Sequence, residues 1–254
     1  SSNNLNLRIA EFNDVYNSFL NDNYYQIFKS PDKSAIDTAI NTIEQIFDTI
    51  PNTYFYNYRK YKYAWLKYVS YLRETRYIAR EYFHEQPVLY QNIAYMDLFN
   101  QVFSDYLLYY METKEGERLF SDVAYAKSPV LIKETFANNL VLINDTLQEF
   151  VLLKGLHDAF YSKDFPLNSL LITLDSVYIA TQVPEHAHIA QNIRKKVLKT
   201  RNGYPAPNFK LESASGELLS KKDFSSQYVY LNFVSVESFA CQQDFELLKK
   251  LKEK

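Results

Sequence analysis

The stretch NLVLINDTLQEFVLLKGLHDAF, residues 139–160, decides the fold class. Ile143, Leu147, Phe150, Val151, Leu152, Leu153, Leu156 and Phe160 keep helical spacing but spread nearly all round the axis, the pattern of a helix covered on several sides. It reads as the central helix of an all-α domain. Upstream, Ile36, Ala39, Ile40, Ile43, Ile46, Phe47 and Ile50 fall on one stripe of a helix that starts near Pro31 and ends before Pro51. Downstream, Leu167, Leu170, Leu171, Leu174, Val177 and Tyr178 repeat that pattern behind Pro166. Pro129 after Ser128 and Pro184 before Glu185 give similar start signals, since proline at a first helical position loses an N–H that would have no intrahelical partner. Two aromatic stretches, about Tyr54 to Phe83 and Asn92 to Met111, complete the helical set, and helix pairs recur without a fixed repeat signature. The chain has 4 glycines and reaches the first only at Gly116, too few for a turn-rich β fold.

The character changes at Arg201-Asn202-Gly203-Tyr204-Pro205-Ala206-Pro207, where two prolines and a glycine stop a helix and make a linker. Asn208 to Leu211 follows, then a turn at Ser215-Gly216-Glu217. Tyr228-Val229-Tyr230-Leu231-Asn232-Phe233-Val234 is rich in β-branched and aromatic residues, as a buried strand would be. From Cys241 to Lys254, Phe245, Leu248 and Leu251 return to helical spacing.

A composition of 47% hydrophobic residues over 254 positions supports a packed core. The formal net charge of -2 offers no global attraction to nucleic acid or to an anionic membrane, so any such site would have to be local. The longest apolar runs, such as Tyr106 to Met111, are too short to span a bilayer, and no transmembrane segment is expected. The chain starts at Ser1 without a basic-then-apolar leader, so an export signal is expected either to have been removed or never to have existed. A single cysteine excludes an intramolecular disulfide.

Gly203-x-Pro205-Ala206-Pro207-x-Phe209-x-Leu211, then Gly216, Leu219, Asp223-Phe224 and Tyr228 to Phe233 match in register the entry of another known group. The segment resembles TlpA-like thiol-disulfide oxidoreductases, thioredoxin-like proteins of the bacterial cell envelope. The Tyr90-to-Tyr106 and Leu152-to-Tyr161 stretches are similar, less specifically, to the helical N-terminal region that many such proteins carry. The resemblance implies a mainly α chain: an all-α domain over residues 1–200, a linker at 201–207, and the opening part of an α/β thioredoxin-like domain at 208–254. It implies a periplasmic or cell-envelope location. It also implies that the domain is cut short at Lys254 or that the native chain continues, because the remaining strands, helices and a cis-proline loop would follow.

In that family the central strand leads into Cys-x-x-Cys at a helix start, and the matching positions here read Ser238-Phe239-Ala240-Cys241. Ser238 and Cys241 are therefore the candidate site residues of a degenerate motif. A helix N-terminus acidifies a thiol, but a serine gains no comparable acidity and forms no disulfide, so dithiol exchange should be absent. Glu237 stands where the family usually has tryptophan, and a like charge there disfavours a thiolate. Cys241 is read as a partly buried structural residue. A rival reading takes Ser238 as the hydroxyl that hydrogen-bonds a peroxidatic cysteine, as in peroxiredoxins, although the proline expected upstream is Val234 here.

Tyr54, Tyr58, Tyr61, Trp65, Tyr68 and Leu72 alternate spacings of four and three among Arg59, Lys60, Lys62, Lys67, Arg73, Arg76 and Arg80. Bases could stack on such a stripe. The spacing better describes a seam facing other helices, with hydroxyls at the rim and basic stems snorkelling. Nucleic acid is not expected as a partner; a protein or peptide gripped through tyrosines is. His186-x-His188 lies two apart on a helix, His84 and His157 are isolated, and all four are read as surface or satisfied helix residues rather than metal ligands. No phosphate loop or nucleophile elbow occurs, and neither a metal nor a cofactor is expected. Two functions stay open: a thioredoxin-like envelope protein without dithiol activity that acts by binding, or an enzyme, a thiol-dependent oxidoreductase or one-cysteine peroxidase using Cys241.

Overall fold

The structure is a computed structural model that describes residues 4–47, 51–70, 75–139, 141–199, 201–225, 228–231, 235, 237–241, 243, 244 and 248. Two compact units divide it, Ser1–Leu198 and Lys199–Lys254.

The first unit is helical. α1 (Leu5–Asp22), α2 (Tyr24–Phe28), α3 (Lys33–Phe47), α4 (Thr53–Ser70), α5 (Thr75–Tyr82) and α6 (Ile93–Val102) form its first half, organised around α4. α7 (Tyr106–Met111), α8 (Leu119–Ser121), α9 (Pro129–Phe136), α10 (Asp145–Ala159), α11 (Leu167–Ala180) and α12 (Pro184–Leu198) form the second half around α10. The proline signals act as the sequence implies: Ser128 caps α9 with Pro129 in its first turn, and Pro184 opens α12. Pro166 stands one place earlier, as the N-cap of α11.

α10 is the central helix. Leu147, Phe150, Val151, Leu152, Leu153, Leu156 and Ala159 are all buried, and Asn144 caps its start by accepting from the Leu147 N–H at 3.0 Å. Gly155 lets α7 lie close: a Cβ added there would stand 2.4 Å from Leu107 Cγ. The two halves share one aromatic core, in which Phe99 of α6 stacks on Phe150 of α10 at 4.1 Å and Phe83 meets Tyr95 edge-on at 5.0 Å.

The aromatic stretches divide more finely than their spacing suggests. α6 ends at Val102 with Phe103 as its C-cap, and the chain turns through Asp105 in the left-handed region (φ 49°) before α7 begins. The Asp105 N–H there donates to Asp158 Oδ2 at 3.0 Å, a side-chain partner that compensates a conformation unfavourable for a residue with a Cβ. Between α8 and α9, Asp122–Ala126 form one π-helical turn that buries Asp122, Val123 and Ala124, with Asp122 accepting from the Thr135 hydroxyl at 2.8 Å.

The seam on α4 faces other helices, but its polar atoms lie deeper than the rim. Tyr61 and Tyr16 are buried and donate to the carbonyls of Tyr82 and Lys62 at 3.0 and 2.9 Å. Arg59 does not snorkel: it is buried beside Glu44 at 3.0 Å and over the Phe55 ring. A neighbouring carboxylate makes an interior guanidinium tolerable where solvent cannot reach it. Leu72 and Arg73 lie outside the described residues. No helix among the described residues is long and apolar enough to cross a membrane.

In the second unit, β1 (Lys210–Glu212) pairs antiparallel with β2 (Leu218–Ser220), joined by a turn with Gly216 at φ 84°. A 3₁₀ turn over Lys221–Phe224 follows, its Asp223 closing a capping box with Ser220. The buried strand expected at Tyr228–Val234 does not form over 228–231, which are exposed and outside any sheet. A central strand is held by ladders to neighbours on both edges, and the sheet among the described residues is the β1–β2 pair alone. Asn232–Val234 and Leu251 lie outside the described residues; 239–241, 243, 244 and 248 are helical.

Candidate functional site

Ser238 and Cys241 meet at the start of the short helical run that begins at Phe239. The Ser238 N–H donates to the Ser235 carbonyl at 3.1 Å, turning the chain, and the Ser238 Oγ accepts from the Cys241 N–H at 3.4 Å. Ser238 is thus an N-cap and Cys241 the third residue of the first turn, an arrangement that Ser-x-x-Cys forms readily because a serine oxygen satisfies an otherwise orphan N–H. Cys241 is half-exposed and is the protein's single cysteine.

The thiol lies below its ordinary pKa. Hydrogen bonding from the Ser235 backbone N–H is the main cause and that from the Ser238 hydroxyl the next, with burial and the charge of Asp244 opposing them. Glu237, expected to disfavour the thiolate, is not among these influences. Asp244 is the like charge that opposes ionisation, and two donors outweigh it. Chemically, the junction can present a thiolate to an electrophile, and the chain has no second thiol to resolve an adduct.

A second polar cluster lies inside the helical unit. His186 of α12 is fully buried, with Nδ1 2.7 Å from Glu149 Oε1 and Nε2 2.7 Å from the Tyr90 hydroxyl. Its ring stacks on Phe150, and Tyr90 meets both rings edge-on. Thr181 donates to the same Glu149 oxygen, and Lys133 Nζ lies 3.8 Å from the other. Burial pushes the Glu149 carboxyl up, but the His186 and Thr181 hydrogen bonds and the charges of His186 and Lys133 hold it below its ordinary range. Burial, helped by Glu185 and Glu149, raises the Tyr90 phenol to about 12.

The spacing of His186 and His188 gave no sign of this cluster, because the partners come from other helices. A signal did exist: Glu149 sits in a helix apolar nearly all round, and a carboxylate there needs a partner. His188 is exposed, His84 approaches the Val141 carbonyl at 3.3 Å, and His157 approaches Asp158 at 3.1 Å. No group of three or more metal-ligating side chains gathers among the described residues. No protein-family model, curated protein or solved structure matches the chain.

Proposed function

We propose that this is a thioredoxin-like protein of the periplasm or cell envelope that has lost dithiol exchange and acts by binding a protein or peptide through its helical unit. The observation that carries the proposal is the Ser238 cap three residues before the lone Cys241. Exchange between a dithiol and a disulfide needs one thiolate to attack and a second thiol to release the mixed disulfide. With a hydroxyl in the first position the reaction stops at the mixed adduct. Exposed tyrosines on the helical unit, among them Tyr24, Tyr25, Tyr56 and Tyr109, supply the amphipathic side chains that protein interfaces favour.

A second reading rests on the lowered Cys241 pKa: a one-cysteine enzyme in which the thiolate attacks a peroxide oxygen, forming a sulfenic acid and, with a proton from solvent, releasing an alcohol; one external thiol then condenses with the sulfenic acid to a mixed disulfide and water, and a second frees the Cys241 thiol and leaves as the external disulfide. One pair of measurements separates the two. In a thiol-driven disulfide reduction assay the unmodified chain should show negligible turnover, and Ser238→Cys should form an internal disulfide under mild oxidant. Efficient turnover by the unmodified chain, or thiol-dependent peroxide consumption lost in Cys241→Ser, would put the enzyme first. Failure of Ser238→Cys to close a disulfide would sink the motif alignment itself.

A further inference from the structure

The helical unit has a groove of about 470 Å³ where α1, α4 and α6 meet. Helical spacing builds it. Lys62 and Trp65 stand three apart on α4, and Asp97, Asn100 and Gln101 stand at i, i+3 and i+4 on α6, so each set shares a face, with Asn17 of α1 opposite. The Trp65 Nε1–H donates to Gln101 Oε1 at 3.0 Å. That bond uses the indole's one donor, so what the ring offers a ligand is carbon surface, while the Gln101 amide NH₂ keeps its donors.

The Asn17, Asp97 and Asn100 side chains have no hydrogen-bond partner among the described residues. Lys62 and Asp97 line the same groove without an ion pair between them, and the Lys62 ammonium rests over the Tyr16 ring at 4.9 Å. Burial draws the Lys62 ammonium below its ordinary value, with Asp97 opposing, so this cation is partly stripped of water without gaining a carboxylate.

From this set we infer that the groove binds a small neutral saccharide. Three amides outnumber the charged groups, and one cation with one anion sum to zero, which favours an uncharged ligand. Amides both donate and accept, as sugar hydroxyls do, and a carboxylate and an ammonium add an acceptor and a donor. The apolar C–H face of a pyranose needs an apolar wall, which the indole supplies. A mono- or disaccharide fits the volume. This inference is independent of any chemistry at Cys241.

Trp65 is the only tryptophan in the chain, so its emission reports on this groove and no other part of the protein. The full chain is titrated with glucose, galactose, N-acetylglucosamine and maltose, exciting selectively at the red edge of the indole band, with glucuronate and glycylglycine as charged and zwitterionic comparisons. At least one neutral sugar should give a saturable change with a Kd on the order of 1 mM, as expected for a ligand of about a dozen heavy atoms. Asn100→Ala and Asp97→Asn, both at exposed helix positions where folding is not at stake, should each weaken it about fivefold or more. Circular dichroism checks that both variants remain helical. No saturable response to any neutral sugar, an unchanged Kd in both variants, or tighter binding of glucuronate or glycylglycine would each overturn the inference.

Discussion

A cysteine's reactivity is set by which hydrogen bonds its thiolate receives, and at Cys241 the donors are a backbone N–H at Ser235 and the hydroxyl of Ser238. Alkylation of the unmodified chain should therefore have its pH midpoint below the ordinary thiol value of about 8.5. Ser238→Ala removes one donor and should move that midpoint upward, as followed by iodoacetamide rates. An unchanged midpoint would mean that the hydroxyl does not reach the sulfur. The pairing of Ser238 with the single cysteine was legible in the sequence, because a serine three residues before Cys241 is a sequence fact. The thiol's environment was not, since Ser235 and Asp244 act through a turn and a helix that spacing alone does not orient.

Between elements, α10 governs the helical unit, and its two tightest joins make different predictions. At the α7 join, Gly155→Ala would place a methyl 2.4 Å from the Cγ of buried Leu107, with Leu107 Cδ1 at 2.9 Å. Overpacking of about 1–3 kcal/mol should exceed the helix-propensity gain of up to about 1 kcal/mol, so chemical denaturation should show a net loss of stability. At the α12 join, Glu149 has a folded pKa below its unfolded one, so its contribution is complete above about pH 4.3 and is lost as pH falls through the lowered value. Thermal unfolding followed from neutral pH downward should show this acid limb, and Glu149→Gln should make it shallower. The helices themselves were legible from apolar spacing and proline signals, as at α3, α9 and α12. The breaks were less so: nothing local announces that Asp105 will adopt a left-handed turn, because its compensating partner, Asp158, is 53 residues away. Tyr228 to Leu231 shows the opposite failure, a strand-like composition with no neighbouring strand paired to it among the described residues.

The helical unit buries a set of tyrosines on α1, α4, α6 and α7 that desolvation keeps neutral. Desolvation raises the phenol pKa of Tyr16, Tyr61, Tyr63, Tyr95 and Tyr106, most strongly among groups far from solvent. A raised folded pKa contributes stability that is complete below the unfolded value of about 10 and declines as pH rises through the folded values, because the unfolded phenols ionise first. Alkaline titration followed by phenolate absorbance should thus show two populations: exposed tyrosines ionising near their ordinary value, and a buried set ionising together with loss of helical circular dichroism. Ionisation of all phenols before any helix is lost would contradict the packing described for α4 and α6. The clamp on His186 has a consequence at another level of observation. An ionised Glu149 carboxylate can only accept, so the proton between it and the imidazole must sit on Nδ1. His186 is fully buried, and that Nδ1 proton should persist as a separate, slowly exchanging downfield magnetic resonance signal, a marker that vanishes when α10 and α12 part.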